Sequence, residues 1–170
     1  MHVRLPLVSV LALLGACAAT PARFAGTDHR PQSIMVAPPV DDSGVADAAQ
    51  IVGPTLTRPL VEHGYYVFPS SVVSPVLSRL KIDAQNPAAI ARLDGVFGAE
   101  AILLTRIKAF RRAQGEHQVE VALQLLEVKS GRVLWEGSGA ASGDGEGVDP
   151  MRALAEAANQ GAMAQLPRGR

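Results

Sequence analysis

The chain has 170 residues, of which 48% are hydrophobic, and its 16 basic and 16 acidic side chains cancel. This length suits one ordinary domain, and the apolar fraction is sufficient for a packed core. The charge balance, without a basic stripe, argues against a nucleic-acid partner. A chain with one cysteine has no internal disulfide.

The amino terminus has the layout of a secretory leader. A basic head with His2 and Arg4 precedes an apolar run over 5–14, which is too short to cross a bilayer. Leu14-Gly15-Ala16-Cys17 resembles the lipobox of bacterial lipoproteins. We therefore expect a signal peptide over 1–16, cleavage between Ala16 and Cys17, and acylation of Cys17, palmitate included. The alternative is an ordinary signal peptide with a chance cysteine.

Residues 17–32 have no period and contain Pro, Gly, Thr and Asp, which predicts a flexible lipidated tether. Fully extended, it reaches roughly 50 Å. By analogy with other lipoproteins, Ala18 carries no retention signal, which favours the outer membrane with the domain facing the periplasm. The folded domain is predicted over 33–166, followed by a tail over 167–170.

The first half of the domain alternates short strands with helices. A buried strand over 33–37 is stopped by Pro38-Pro39, and a helical pattern over 46–62 contains Pro54 and Pro59, which predict a kink. Gly64 suits a left-handed helix cap, and the run 65–68 is strongly β-prone.

Two helices and a central strand follow. Ser70 or Ser71 is the predicted cap of the first helix, and Asn86-Pro87 the predicted start of the second, which runs to Phe97-Gly98. The apolar run 101–107 predicts a strand covered on both faces.

The pattern then changes to antiparallel strands. Residues 119–125 alternate between apolar and polar, 129–132 form a predicted hairpin turn, and 133–135 return as a strand. The glycine-rich stretch 137–147 is expected to be a mobile loop. Asp149-Pro150 then begins a closing helix.

The resulting order is β-α-β-α-α-β-β-β-α. Crossover helices imply parallel pairing of the first three strands, and short turns imply antiparallel pairing afterwards. We therefore expect one mixed five-stranded sheet with packed helices, an α/β fold on the border of α+β.

Residues capable of chemistry are few and scattered. Asp41, Asp42 and Asp47 lie in a Ser/Gly-rich loop, where solvated carboxylates are more common than an acid–base pair. The glycine-rich stretch lacks the Gly-Lys-Ser/Thr ending of a phosphate-binding loop. No metal-ligand spacing exists among the histidines, which are His2, His29, His63 and His117. We expect no enzymatic activity, metal, cofactor or small-molecule substrate.

Three aromatic residues are candidate partner contacts. Tyr65, Tyr66 and Trp135 lie on predicted strands, where they belong either to the core or to a contact surface. If the strand over 65–68 lies at a sheet edge, its uncharged sequence favours pairing with a second copy. If it is covered on both sides, the protein is a monomer.

Four segments carry a family resemblance: residues 34–39 (IMVAPP), 57–69 (TRPLVEHGYYVFP), 97–103 (FGAEAIL) and 131–137 (GRVLWEG). With them the chain resembles a bacterial outer-membrane lipoprotein family of unknown function, of the meningococcal surface-antigen type. The resemblance implies a fold similar to the TolB amino-terminal domain and to the periplasmic folds of CsgG and LpoB. It also implies a homodimer and CsgG-like lipoproteins as partners. The acidic loop and Ala-rich helix after 142 depart from the family pattern.

Two functional interpretations follow. The first is a non-enzymatic accessory or structural subunit of an envelope transport or secretion assembly. The alternative is a periplasmic regulator that activates a peptidoglycan-synthesis enzyme. An enzyme with an unrecognised site is a third and weaker interpretation.

Mass spectrometry of the amino-terminal peptide tests the anchor. We expect it to begin at Cys17 and to carry two or three acyl chains, because the small residues of the cleavage site precede the only thiol. The variant Cys17→Ser should be released or mislocalised yet stay folded. An unmodified peptide that begins elsewhere would contradict the prediction.

Overall fold

The computed structural model describes residues 24–26, 30–113, 116–144 and 149–169. The predicted signal peptide, its cleavage site and Cys17 lie outside these residues. In the described part, no helix is both long enough and apolar enough to cross a membrane. The elements are β1 (Ser33–Val36), β2 (Val40–Asp41), α1 (Ala48–Thr55), α2 (Thr57–Glu62), β3 (Tyr66–Phe68), α3 (Ser70–Leu80), α4 (Pro87–Ile90), a 3-10 turn (Ala91–Leu93), β4 (Ala101–Ala113), β5 (Glu116–Glu127), β6 (Val133–Gly143) and α5 (Pro150–Met163).

The strands form one mixed sheet in the order β3-β1-β4-β5-β6. β1 pairs in parallel with β3 and β4, and β4, β5 and β6 pair antiparallel, as the sequence predicts. The sheet has six strands rather than the expected five. After Pro38-Pro39 the chain re-enters the sheet as the short strand β2, which pairs in parallel with β4. The parallel half and the antiparallel hairpin together give an α+β arrangement.

The two faces of the sheet carry separate cores. On one face Ile34 and Val36 of β1 belong to a cluster with α1, α2 and α5. On the other face Met35 and Ala37 belong to a cluster with α3 and α4. This second layer covers only the start of β4: Ile102 and Leu104 are buried there, whereas Arg106 is exposed. The strand over 101–107 is thus covered on both faces for only part of its length.

The first predicted helix is two helices. Proline at position 59 has no N–H to donate to the carbonyl of Thr55, and its ring collides with that carbonyl. α1 therefore ends at Thr55 and α2 begins at Thr57. The side chain of Asn159 on α5 ties α1 to the closing helix, since Nδ2 donates to Thr55 Oγ1 at 2.8 Å.

The helix ends confirm some predicted signals and correct others. Asn86 Oδ1 accepts from the N–H of Ala88 at 3.0 Å, and Asp149 Oδ1 accepts from the N–H of Arg152 at 3.2 Å, so both predicted caps form. The prediction of a Ser70 or Ser71 cap is wrong, because α3 begins at Ser70 and Pro69 precedes it without a side-chain bond.

The second helix of this layer is also shorter than predicted. It ends at Leu93 rather than near Phe97, because Asp94 leaves the helical conformation and Gly95 adopts a positive φ.

The largest correction concerns the glycine-rich stretch. Residues 137–143 belong to strand β6 and not to a mobile loop. Glycine is a poor strand former, yet α5 lies so close that a Cβ on Gly139 would be 2.0 Å from the carbonyl oxygen of Ala158. A Cβ on Gly137 would be 2.4 Å from the Trp135 ring. The glycines therefore permit the helix to approach the strand.

This close approach predicts opposite effects of one methyl group at two glycines. Gly139→Ala should lower the free energy of unfolding by about 1–3 kcal/mol, because the backbone of α5 must move. The control is Gly161→Ala. Gly161 lies in α5 itself, and an added Cβ there would meet open space. It should raise stability by up to about 1 kcal/mol through helix propensity. Denaturant titration measures both, and equal effects would contradict the packing.

Candidate functional site

Strand β3 is an edge of the sheet, as one of the two sequence-based alternatives requires. Its neighbour is β1, and no other strand of the described chain pairs with it. Tyr66 is 67% exposed and lies against Phe68 with ring centroids 5.0 Å apart. Phe68 in turn lies 5.1 Å from Phe97. The exposed tyrosine is therefore supported from behind by two aromatic rings.

Exposed apolar side chains occur on this strand and on the helices before and after it in the chain. Among the described residues, the large hydrophobic side chains classed as exposed are Val61, Tyr66 and Val72. They lie on α2, β3 and α3, within twelve consecutive residues of the chain. We call these three residues the β3 patch. Because an exposed aromatic side chain at an open sheet edge is suited to a contact, the β3 patch, with Tyr66 on the edge strand itself, is the best candidate for a protein contact.

The other two predicted contact residues are buried. Tyr65 is 4% exposed, and its hydroxyl donates to the carbonyl oxygen of Pro167. Trp135 is 9% exposed and covers Gly137 beneath α5. Neither side chain offers a surface to a partner, so only Tyr66 of the three candidates lies at an accessible site.

The carboxyl-terminal residues are docked and not a free tail. Pro167 is buried against Tyr65, and the N–H of Gly169 donates to the carbonyl oxygen of His63 at 2.9 Å. A Cβ at Gly169 would be 2.5 Å from the carbonyl oxygen of Gly64. The folded domain therefore continues past 166 and is closed by this segment.

Phe24 corrects the predicted tether. It lies inside the segment 17–32, yet it is 5% exposed and belongs to the same core cluster as Trp135. The N–H of Ala25 donates to the carbonyl oxygen of Leu134 at 2.8 Å, and Arg132 Nη1 donates to the carbonyl oxygen of Gly26 at 3.0 Å. The chain is thus fixed to the domain at residues 24–26. An aromatic residue within a stretch of small and polar residues is the signal for it.

A polar groove lies where α3 and α4 leave the sheet uncovered. Its volume is about 490 Å³, and Arg106, Lys108 and Glu136 contribute its charges. Asp42 accepts from Arg106 at 3.1 Å and from Lys108 at 3.0 Å. The hydrogen bond from Lys108 has the largest effect on the pKa of Asp42, and together with that from Arg106 it lowers this pKa from its ordinary value. Gln124 Nε2 donates to Glu136 Oε1 at 2.6 Å.

The aspartates considered for catalysis have structural partners. Asp47 pairs with Arg112 at 2.8 Å, and that hydrogen bond lowers the pKa of Asp47. Asp41 Oδ1 accepts from the N–H of Ser43 at 2.8 Å. An acid catalyst near neutral pH needs a raised pKa, and ion pairing has the opposite effect. Across the described ranges, no three His, Cys, Asp or Glu side chains group in a way that could hold a metal ion.

Comparison with known protein families shows to which of them this chain belongs. Residues 24–166 match the family described as "Putative lipoprotein GNA1162-like". The chain belongs to the GNA1162-like lipoprotein family. This matched region begins at Phe24, the residue at which the structure fixes the chain to the domain.

Individual proteins that are similar to the chain in sequence or structure are consistent with this family assignment. The chain is 28% identical over 121 residues to "Putative lipoprotein NMB1124/NMB1162" of Neisseria meningitidis serogroup B, covering 65% of this chain and 55% of that protein. The chain thus spans about half the length of this relative. The crystal structure of lipoprotein GNA1162 from N. meningitidis is 28% identical with a TM-score of 0.56, covering 65% of this chain and 80% of that chain.

Two more distant structures share the fold alone. The PelC dodecamer from Paraburkholderia phytofirmans is 16% identical with a TM-score of 0.59, covering 82% of this chain and 89% of that chain. The NMR structure of Escherichia coli LpoB is 14% identical with a TM-score of 0.54, covering 82% and 79%. The predicted likeness to the LpoB fold is confirmed.

The buried Tyr65 predicts an alkaline limit to stability. Burial raises the pKa of Tyr65 from 10.0 to about 12. The neutral phenol is therefore favoured in the folded state. Its contribution is complete below pH 10 and is lost as the pH rises through 12. Tyr65→Phe should flatten the fall of unfolding free energy over this range, whereas the control Tyr66→Phe should keep it. A wild-type profile in Tyr65→Phe would contradict the assignment.

Proposed function

We propose that this chain is a non-enzymatic outer-membrane lipoprotein that serves as an accessory subunit of an envelope transport or secretion assembly. The observation that carries the proposal is the docking of Phe24. It converts a long tether into a short one, and so it determines how far from the membrane the domain can act.

The reach of the domain follows from the length of the free segment. Between the proposed acyl cysteine Cys17 and the buried Phe24 lie six residues, 18–23. At 3.3–3.6 Å per residue, the span from Cys17 to Phe24 is at most about 25 Å. This is half of the roughly 50 Å that a free tether over 17–32 would give. The domain is therefore kept close to the membrane that holds its acyl chains.

A short reach favours partners in the same membrane. A regulator of a peptidoglycan synthase anchored in the inner membrane must extend across the periplasm to find it. The likeness to LpoB is one of fold alone at 14% identity, and it carries no partner with it. An accessory role beside other outer-membrane proteins, CsgG-like lipoproteins among them, needs no such extension.

The surfaces support binding to protein and not catalysis. The charged side chains of the polar groove already have partners, since Arg106 and Lys108 pair with Asp42 and Glu136 accepts from Gln124. The β3 patch instead offers apolar area at a sheet edge, where an aromatic side chain with a polar tip is a common contact residue. We assign partner binding to the β3 patch, with Tyr66 at its centre.

Cross-linking from position 66 in the full lipoprotein tests this function. A photoreactive amino acid replaces Tyr66 in cells, and captured envelope proteins are identified by mass spectrometry. The matched control replaces Ala88, an exposed residue of α4. We expect outer-membrane transport or secretion components at 66 and not at 88. Capture of a peptidoglycan synthase would favour the alternative function, and equal capture at both positions would contradict the patch.

A further inference from the structure

One end of the sheet holds the point at which the amino-terminal chain docks. β1, β3, β4 and β6 begin at this end, and β5 finishes there, because β5 runs antiparallel to both of its neighbours. Ala25 is bound here, to the carbonyl oxygen of Leu134 in the first turn of chain that forms β6. We call this the docking end of the sheet. The far end is where β4 ends, β5 begins and β6 reaches Gly143.

Four exposed cationic side chains lie along the docking end. Lys129 and Arg132 belong to the turn between β5 and β6, and Arg168 belongs to the carboxyl-terminal segment that docks against Tyr65. Arg30 precedes β1. Burial raises the pKa of Tyr65, and the charge of Arg30 lies near enough to oppose that shift. Four strand spacings of 4.7–4.9 Å separate β3 from β6, so this row of cations is about 20 Å long.

The carboxylates at this end are mostly engaged within the fold. Glu100 accepts a main-chain hydrogen bond at 2.5 Å, and Glu127 lies 3.7 Å from Arg132. Asp94, in the loop before β4, is the further acidic residue of this end. Three cations, by contrast, form no ion pair or side-chain hydrogen bond with any residue that the structure describes: Arg30, Lys129 and Arg168. The side chains available to an external group are therefore mainly cationic.

The far end of the sheet lies beyond the reach of the anchor. Nine residues of β6 separate Leu134 from Gly143, which is roughly 30 Å at about 3.3 Å per residue. The span from Cys17 to Phe24 is at most about 25 Å. The far end also offers less free positive charge, since Arg112 there is paired with an aspartate at 2.8 Å. Chain length and charge thus both favour the docking end as the side that meets the membrane.

We propose that the docking end rests on the phosphate headgroups of the membrane that anchors the chain. Its contact residues are Arg30, Lys129, Arg132 and Arg168. This inference rests on the lipid anchor of the proposed function and deepens it, since it states which surface faces the lipid. Arginine and lysine bind phosphate oxygens through charge-assisted hydrogen bonds, and an anionic surface attracts them within about a Debye length. The short chain to Cys17 holds the cations within that distance.

This orientation turns the β3 patch sideways along the membrane. β3 is a lateral edge of the sheet, so it stands upright when the docking end faces the headgroups. Tyr66 is then presented to neighbours that are anchored in the same membrane. Headgroup contact and partner binding therefore use different surfaces of the domain, and one does not block the other.

Quenching by labelled lipid headgroups tests the orientation. Ser130→Cys at the docking end and Ser142→Cys near the far end each carry one fluorescent label on the full lipoprotein, whose Cys17 thiol is consumed by acylation. The vesicles contain phosphatidylcholine, phosphatidylglycerol and a lipid with a nitroxide headgroup. We expect severalfold stronger quenching at 130, because the two labels lie roughly 30 Å apart along β6. Equal quenching at both positions, or stronger quenching at 142, would overturn the proposal.

Charge substitutions separate headgroup contact from tethering alone. Arg30→Gln with Arg168→Gln should lower the ratio of docked to undocked domain by about tenfold, because each cation near an anionic surface contributes to binding. The matched control is Arg79→Gln with Arg111→Gln, which removes two exposed arginines away from the docking end and should leave quenching unchanged. Salt at 1 M, where the Debye length is about 3 Å, should act like the first pair. Quenching at 130 that neither the first pair nor salt reduces would overturn the proposal.

Flotation of the vesicles distinguishes this proposal from the proposed function. Every variant should float with the lipid, because acylation of Cys17 does not depend on the docking end. Protein that floats without a contrast between 130 and 142 contradicts the headgroup contact alone. Protein that does not float contradicts the anchor on which the proposed function rests, and the headgroup contact with it.

Discussion

The close approach of α5 to β6 is the contact on which the rest of this domain depends. Gly137 and Gly139 have no Cβ, so the helix backbone lies directly on the strand. This brings the Ala-rich face of α5 over the antiparallel strands and places the Trp135 ring within the same core as Phe24. A wider separation would remove the cover from Trp135 and from the site at which the amino-terminal chain docks.

The sequence predicts best those elements that carry their own local signals. Apolar runs with proline or glycine boundaries, such as 33–37 and 101–107, identify β1 and the start of β4 correctly. Asn86-Pro87 and Asp149-Pro150 mark real helix starts, because the cap and the first-turn proline act locally. The fold class and strand pairing follow from these local signals and from the lengths of the connections.

The missed strand residues and the two docked ends of the chain depend on distant partners. Residues 137–143 form a strand only because β5 pairs with them on one side and α5 covers them. Phe24 and Pro167 are ordered by contacts with residues far along the chain, and the local sequence does not identify those partners, although the isolated aromatic at 24 hints at a docked residue. Of the candidate contacts, Tyr65 and Tyr66 are neighbours, and strand alternation alone places one inside and one outside. Which one is exposed depends on where the carboxyl-terminal segment docks.

Docking of Phe24 links this packing to function, because it determines how far the domain stands from its membrane. Energy transfer from Trp135, the only tryptophan, to dansyl-labelled lipid headgroups measures that distance in vesicles carrying the full lipoprotein. A domain held within about 25 Å should give strong transfer, and Phe24→Ala should weaken it by freeing the chain up to β1. Equal transfer from both proteins, or none from the wild type, would contradict the account.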